Sequence, residues 1–220
     1  MKQKLYVMMG DVISSRRIKD KEEFQIKLEK ACADVNRAYA GDIYADFKIL
    51  KGIDEIEGIL SNMENSYEII NTILEQIYPQ SMRFALVLDY IDTAAETRDV
   101  SKMDGPAFHK ASDIISDLKR SKLMFSMSIE DEMLDRTAAG VINLILLLKK
   151  KWSLKQHRIF RKYQEAGTQH EVARSLGITQ QAVSRTLNRS MWKEISGIEE
   201  NLRYVLRNYS QRLSEGGMMI

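Results

Sequence analysis

Residues 168–188 read TQHEVARSLGITQQAVSRTLN, and their spacing fixes two short helices joined by a tight turn. Thr168 followed three residues later by Glu171 has the form of a capping box, and Val172, Ala173 and Leu176 then share one helical face. Gly177 stops that helix where the chain needs a positive φ, Ile178 plugs the turn, and Thr179 offers a hydroxyl to cap the next helix. In the second helix Val183 and Leu187 point inward, which leaves Gln180, Gln181, Ser184, Arg185, Asn188 and Arg189 outward. Arginine matches guanine O6 and N7, and glutamine or asparagine matches adenine N6 and N7, so this face suits the major groove of double-stranded DNA. A preceding helix, 154–166, packs through Ile159, Phe160 and Tyr163 and completes a helix-turn-helix domain over 152–193.

The charge distribution points the same way. The whole chain carries only +2, yet between Lys149 and Lys193 eleven Lys or Arg residues face two acids, Glu165 and Glu171. A module near +9 attached to a remainder near −7 suits a polyanionic partner. Arg158, Arg161, Lys162 and Lys193 are the expected phosphate contacts, while the outward residues of the second helix discriminate sequence. After Trp192, the line Ile195, Ile198, Leu202, Val205 and Tyr209 could pair two subunits into a homodimer or pack within its own chain, and the spacing does not choose.

The first 130 residues alternate between strand and helix patterns. Leu5 to Val12 is an apolar run, Lys21 to Tyr39 is helical through Phe24, Ile26, Leu28, Ala31, Cys32 and Val35, and Asp46–Gly52 with Glu55–Leu60 reads as a hairpin. A helix through Tyr67, Ile70 and Ile77 and the apolar run Arg83 to Ile91 follow. This βαββαβ order predicts an α+β, ferredoxin-like, palm-type domain over 1–130 with its helices on one face of an antiparallel sheet. A helix from Pro106 and a strand from Leu123 extend it. A connecting helix at 131–151 then leads to the helix-turn-helix, and 194–220 is a C-terminal helix. No stretch reaches the ~20 apolar residues of a membrane span, and no signal-peptide pattern opens the chain, so a cytoplasmic protein is expected. Cys32 has no His or second Cys at ligand spacing and reads as a buried thiol.

Three acids are candidates for a metal site. Asp11 ends the first strand, and Asp54 and Glu55 occupy the hairpin turn beside it, where oxygen ligands suit Mg²⁺ carrying a nucleotide. Arg16 and Arg17 would hold its phosphates. The competing reading gives the acids to turn capping and leaves the arginines solvated.

GDVISSR (Gly10–Arg16), KGIDEIEGIL (Lys51–Leu60) and MDGPAFHKA (Met103–Ala111) resemble motifs of the SatD family of bacterial proteins, and the resemblance extends to the C-terminal domain. The helix-turn-helix stretch resembles those of bacterial repressors and of the promoter-binding domain of sigma factors. The acidic turn resembles the palm domains of nucleotidyl and diguanylate cyclases, which implies metal-holding roles for Asp11, Asp54 and Glu55. Ile53 and Leu88-Asp89-Tyr90 stand where glycines are expected, and their bulk argues against a catalytic pocket. The sequence thus points to a sequence-specific DNA-binding transcriptional regulator without catalytic residues, its palm-type domain sensing a ligand or mediating assembly. The rival is a metal-dependent nucleotidyltransferase or cyclase with a DNA-binding tail.

Overall fold

The computed structural model describes residues 3–215. Backbone contacts divide the chain into two units, one running to Asn143 and resuming at Arg203, the other spanning Leu144–Leu202. The boundaries therefore fall inside helices. The expected connecting helix is α4 (Glu132–Lys150) and the expected C-terminal helix is α8 (Trp192–Glu215), and each contributes residues to both units. Residues 216–220 of the C-terminal segment lie outside the described residues.

The first unit is α+β. Its elements run β1 (Gln3–Val12), α1 (Lys21–Ala38), β2 (Ile43–Lys51), β3 (Glu55–Leu60), α2 (Ser66–Ile77), β4 (Met82–Ile91), α3 (Pro106–Ser121) and β5 (Phe125–Ser128). They build a mixed sheet in the order β2-β3-β1-β4-β5, antiparallel throughout except for the parallel β4–β5 pair. The strand alternation sends Leu5, Val7 and Met9 to one face, where they pack with Ala107, Phe108, Ala111, Ile115 and Leu118 of α3. No residue of α1 or α2 joins that cluster; these helices cover the other face. The crossover from β4 to a parallel β5 carries α3 over this face, so the helix and strand expected to extend the sheet cover the side opposite α1 and α2.

Local chemistry explains most element boundaries. Asp20 caps α1, its carboxylate accepting from Glu23 N at 2.8 Å, and the buried stripe is Phe24, Leu28, Ala31, Cys32 and Val35. Ile26, expected on that stripe, is 66% exposed, since it sits two residues from Phe24 and Leu28 and so on the opposite side of the turn. Strand β2 begins three residues earlier than expected, and shifts in its register with β3 break the alternation there. Gly105, in the MDGPAFHKA motif, lies so close to the end of β4 that a β-carbon would come within 2.8 Å of the Tyr90 carbonyl oxygen.

At the sheet edge, buried Asn143 of α4 serves β5. Its Oδ1 accepts from Met124 N and Phe125 N at 2.8 and 3.0 Å, and its Nδ2 donates to Phe125 O and Ala139 O at 2.7 and 2.8 Å. One side chain thereby satisfies backbone groups that would otherwise be buried without partners.

The second unit is helical. Around α5 (Leu154–Ala166), α6 (Gln169–Leu176) and α7 (Gln180–Arg189), the residues Ile159, Val172, Ala173, Val183 and Leu187 form its core. Among the described residues, no helix is long and apolar enough to cross a membrane.

Candidate functional site

Helices α5, α6 and α7 each start at a hydroxyl cap. Ser153 and Gln156 form a reciprocal capping box at α5, which the sequence reading did not single out although S-x-x-Q is legible at 153–156. At α6 the Thr168 hydroxyl accepts from Glu171 N at 3.3 Å and donates to the Glu171 carboxylate at 3.0 Å, so the pair caps the helix through the hydroxyl. Thr179 accepts from Ala182 N at 3.2 Å and starts α7. Between them Gly177 takes φ +63, and Ile178 N donates back to Ala173 O at 3.1 Å, closing α6.

Aromatic packing fixes this unit from below. Phe160 lies 4.8 Å from Trp152 and 5.0 Å from Trp192 between ring centroids, and Trp152 Nε1 donates to Ser190 O at 3.1 Å. The start of α5 is thereby tied to the end of α7. Lys149 is drawn into this cluster: its Nζ lies 5.4 Å from the Phe160 ring centre and pairs with Glu199 at 2.6 Å, both side chains being largely buried. It is not an outward basic residue. Burial, reinforced by Arg161 and Lys149, pushes the His157 imidazole down to about 4 and keeps it neutral.

The outward face of α7 differs. Gln180, Gln181, Arg185, Asn188 and Arg189 are exposed and Ser184 is half-buried. Among the described residues none of the five exposed side chains holds a hydrogen bond or ion pair. Of the expected phosphate contacts, Arg158 and Lys193 are exposed in the same way, whereas Lys162 and Arg161 share Glu165 at 2.6 and 3.7 Å. On α8 the buried line is Ile195, Glu199, Leu202, Leu206 and Ser210: Ile195 and Leu202 coincide with the expected seam, Ile198 and Tyr209 are half-buried, and Val205 is exposed.

At the far end of β1 the charged groups are already engaged. Asp11 stands opposite Glu55, and Val12 N donates to Asp54 O at 2.8 Å, so the hairpin turn does lie beside the first strand. The Asp11 carboxylate, however, is buried on the α3 face, where it accepts from Arg83 Nη1 at 3.2 Å and pairs with Lys119 Nζ at 2.7 Å. Asp54 is exposed, and Arg16 and Arg17 are exposed in a 3-10 turn at Ser15–Arg17. Among the described residues no three His, Cys, Asp or Glu side chains converge to hold a metal ion. Among the described residues Asp11, Asp54 and Glu55, where Mg²⁺ was expected, thus do not form a three-ligand cluster. Leu88 to Tyr90 pair with Lys4 to Tyr6, whereas Arg83 pairs with Asp11. That places Leu88 about 17 Å along the strand from Arg83, too far to obstruct the same pocket. His109 lies 3.3 Å from Asp104 on an exposed helix end.

These features define an α+β protein that joins an internally neutralised sheet unit to a basic three-helix unit with an open polar face. The chain belongs to the SatD family, whose model matches residues 6–196. Among solved structures it is similar to a bacterial light-regulated adenylyl cyclase, at 11% identity and a TM-score of 0.40, over 58% of this chain and 77% of that one. A second structure of a bacterial light-regulated adenylyl cyclase aligns at 13% identity and a TM-score of 0.40, over 58% of this chain and 44% of the other. No curated protein matches the chain.

Proposed function

We propose that this protein is a sequence-specific, double-stranded DNA-binding transcriptional regulator whose residues 152–193 form a helix-turn-helix with α7 as its recognition helix. The observation that carries this reading is the unpartnered, exposed row of Gln180, Gln181, Arg185, Asn188 and Arg189 on a helix held rigidly by the Thr179 cap and the Gly177 turn. Unpaired donors on a pre-organised helix lose few contacts when they meet base edges. Arg158 and Lys193 would add phosphate contacts that set the orientation on the duplex.

The strand order β2-β3-β1-β4, with α1 and α2 on one face, supports a ferredoxin-like, palm-type reading of the N-terminal domain. The pairing of Asp11 with Arg83 and Lys119 supports a sensing or assembly role for it over catalysis. The test is selection of genomic fragments by the full chain at fixed salt, repeated with Arg185→Ala. The expected outcome is an enriched motif whose preference over random duplex falls about tenfold to a hundredfold in the variant, with nonspecific affinity little changed. Enrichment of no motif by the unaltered chain would refute the reading.

A further inference from the structure

Helix α4 presents a second surface with no partner in the described structure. Met133, Thr137, Gly140, Leu144 and Leu147 recur at alternating steps of four and three and are all exposed, Met133 at 77%, Leu144 at 54% and Leu147 at 38%. At about 100° per residue they fall within a stripe roughly 80° wide. The same helix buries Ala138, Ile142, Ile145 and Leu146 on its other side, so the stripe is apolar surface that its own chain does not use.

We infer that this stripe is the contact surface for a second copy of the chain, packed antiparallel across a two-fold axis near Gly140. The charges at its ends select that partner and direction. Exposed Glu132 and Lys150 lie on the same flank of the stripe at opposite ends of α4. An antiparallel pair sets Glu132 of each copy against Lys150 of the other, whereas a two-fold parallel pair puts the two copies of each residue on opposite sides of the contact, where neither gains a partner. Glu132 already bonds Arg136 at 2.8 Å, but both side chains are exposed, so exchanging that partner costs little. Gly140 sits at the midpoint, where two helices approach most closely, and a β-carbon there would meet nothing within 4 Å in its own chain. The stripe from Met133 to Leu147 is about 21 Å long, so the contact is small and reversible, tightened when both copies engage one duplex.

The experiment uses the full chain with no DNA present, so it succeeds or fails independently of the DNA-binding reading. Sedimentation from roughly 1 to 100 µM is expected to show a monomer–dimer equilibrium within that range. Leu144→Glu shifts it to monomer at all concentrations, with an unchanged circular dichroism spectrum and melting temperature. Glu132→Lys weakens the dimer about fivefold to tenfold, and Glu132→Lys with Lys150→Glu restores it. Gly140→Cys forms a disulfide-linked dimer under mild oxidation, whereas Met133→Cys does not, since its two copies would lie roughly 20 Å apart. Cys32 is buried and stays out of this reaction. A monomer at every concentration, equal cross-linking at 133 and 140, or failure of the charge exchange to restore association overturns the inference.

Discussion

The end of β1 and the outer face of α7 both collect charged and polar side chains, and they hold them in opposite states. Asp11 is buried and neutralised by two cations, one from β4 and one from α3, so an incoming ligand must first break that arrangement. Gln180, Gln181, Arg185, Asn188 and Arg189 are exposed and, among the described residues, hold no side-chain partner, so a ligand meets them without internal competition. Residue type alone does not separate these cases. What separates them is whether the fold has already satisfied the group.

Four measurements test that contrast. The largest effect belongs to Asp11→Ala, which strands a mostly buried Arg83 and should cost about 3 kcal/mol in urea denaturation, with DNA binding by the folded fraction unchanged. A cost near zero would mean that the β1 cluster is as open as the α7 face. Arg185→Ala should do the reverse: stability within about 0.5 kcal/mol of the unaltered chain, with sequence preference reduced by about 1–3 kcal/mol in competition binding. Gly177→Ala places a β-carbon on a residue at φ +63 with free space around it, so the penalty is conformational, about 1–2 kcal/mol in melting experiments.

The fourth measurement, on His157, is read against pH. Its pKa is about 4 in the folded chain and 6.5 ordinarily, so between those values the unfolded state binds the extra proton. Its contribution to stability is intact above pH 6.5 and declines as the pH falls toward 4. Melting temperature should therefore drop across this window, and His157→Asn should make the drop shallower; an unaltered slope would remove His157 from the account.

Much of this contrast was legible in one half of the chain and hidden in the other. The three-helix unit is built from local signals: hydroxyl caps, a glycine turn and apolar spacing all act over a few residues, and the outward face of α7 follows from Val183 and Leu187 facing in. The strands were legible for the same reason, with β3 falling at Glu55–Leu60 as its composition suggests. The Asp11 cluster was not, because Arg83 and Lys119 lie 72 and 108 residues further on and meet it only once the sheet and α3 are assembled. Likewise, the phase of α8 depends on its surroundings: Val205 and Leu206 are equally apolar, and tertiary packing alone decides which is buried. Proximity of Asp11 to the hairpin turn was readable, but it did not reveal the two cations that pair with Asp11.

Asn143 has a bearing on solubility. A terminal strand only four residues long, with the amides at its start already capped by an amide side chain, offers little template for strands from other molecules. Asn143→Leu would keep the bulk but leave those buried amides without a partner, at a cost of about 1–3 kcal/mol in thermal melting. As the strand loosens its edge opens to other molecules, and the protein should form fibrillar deposits on storage.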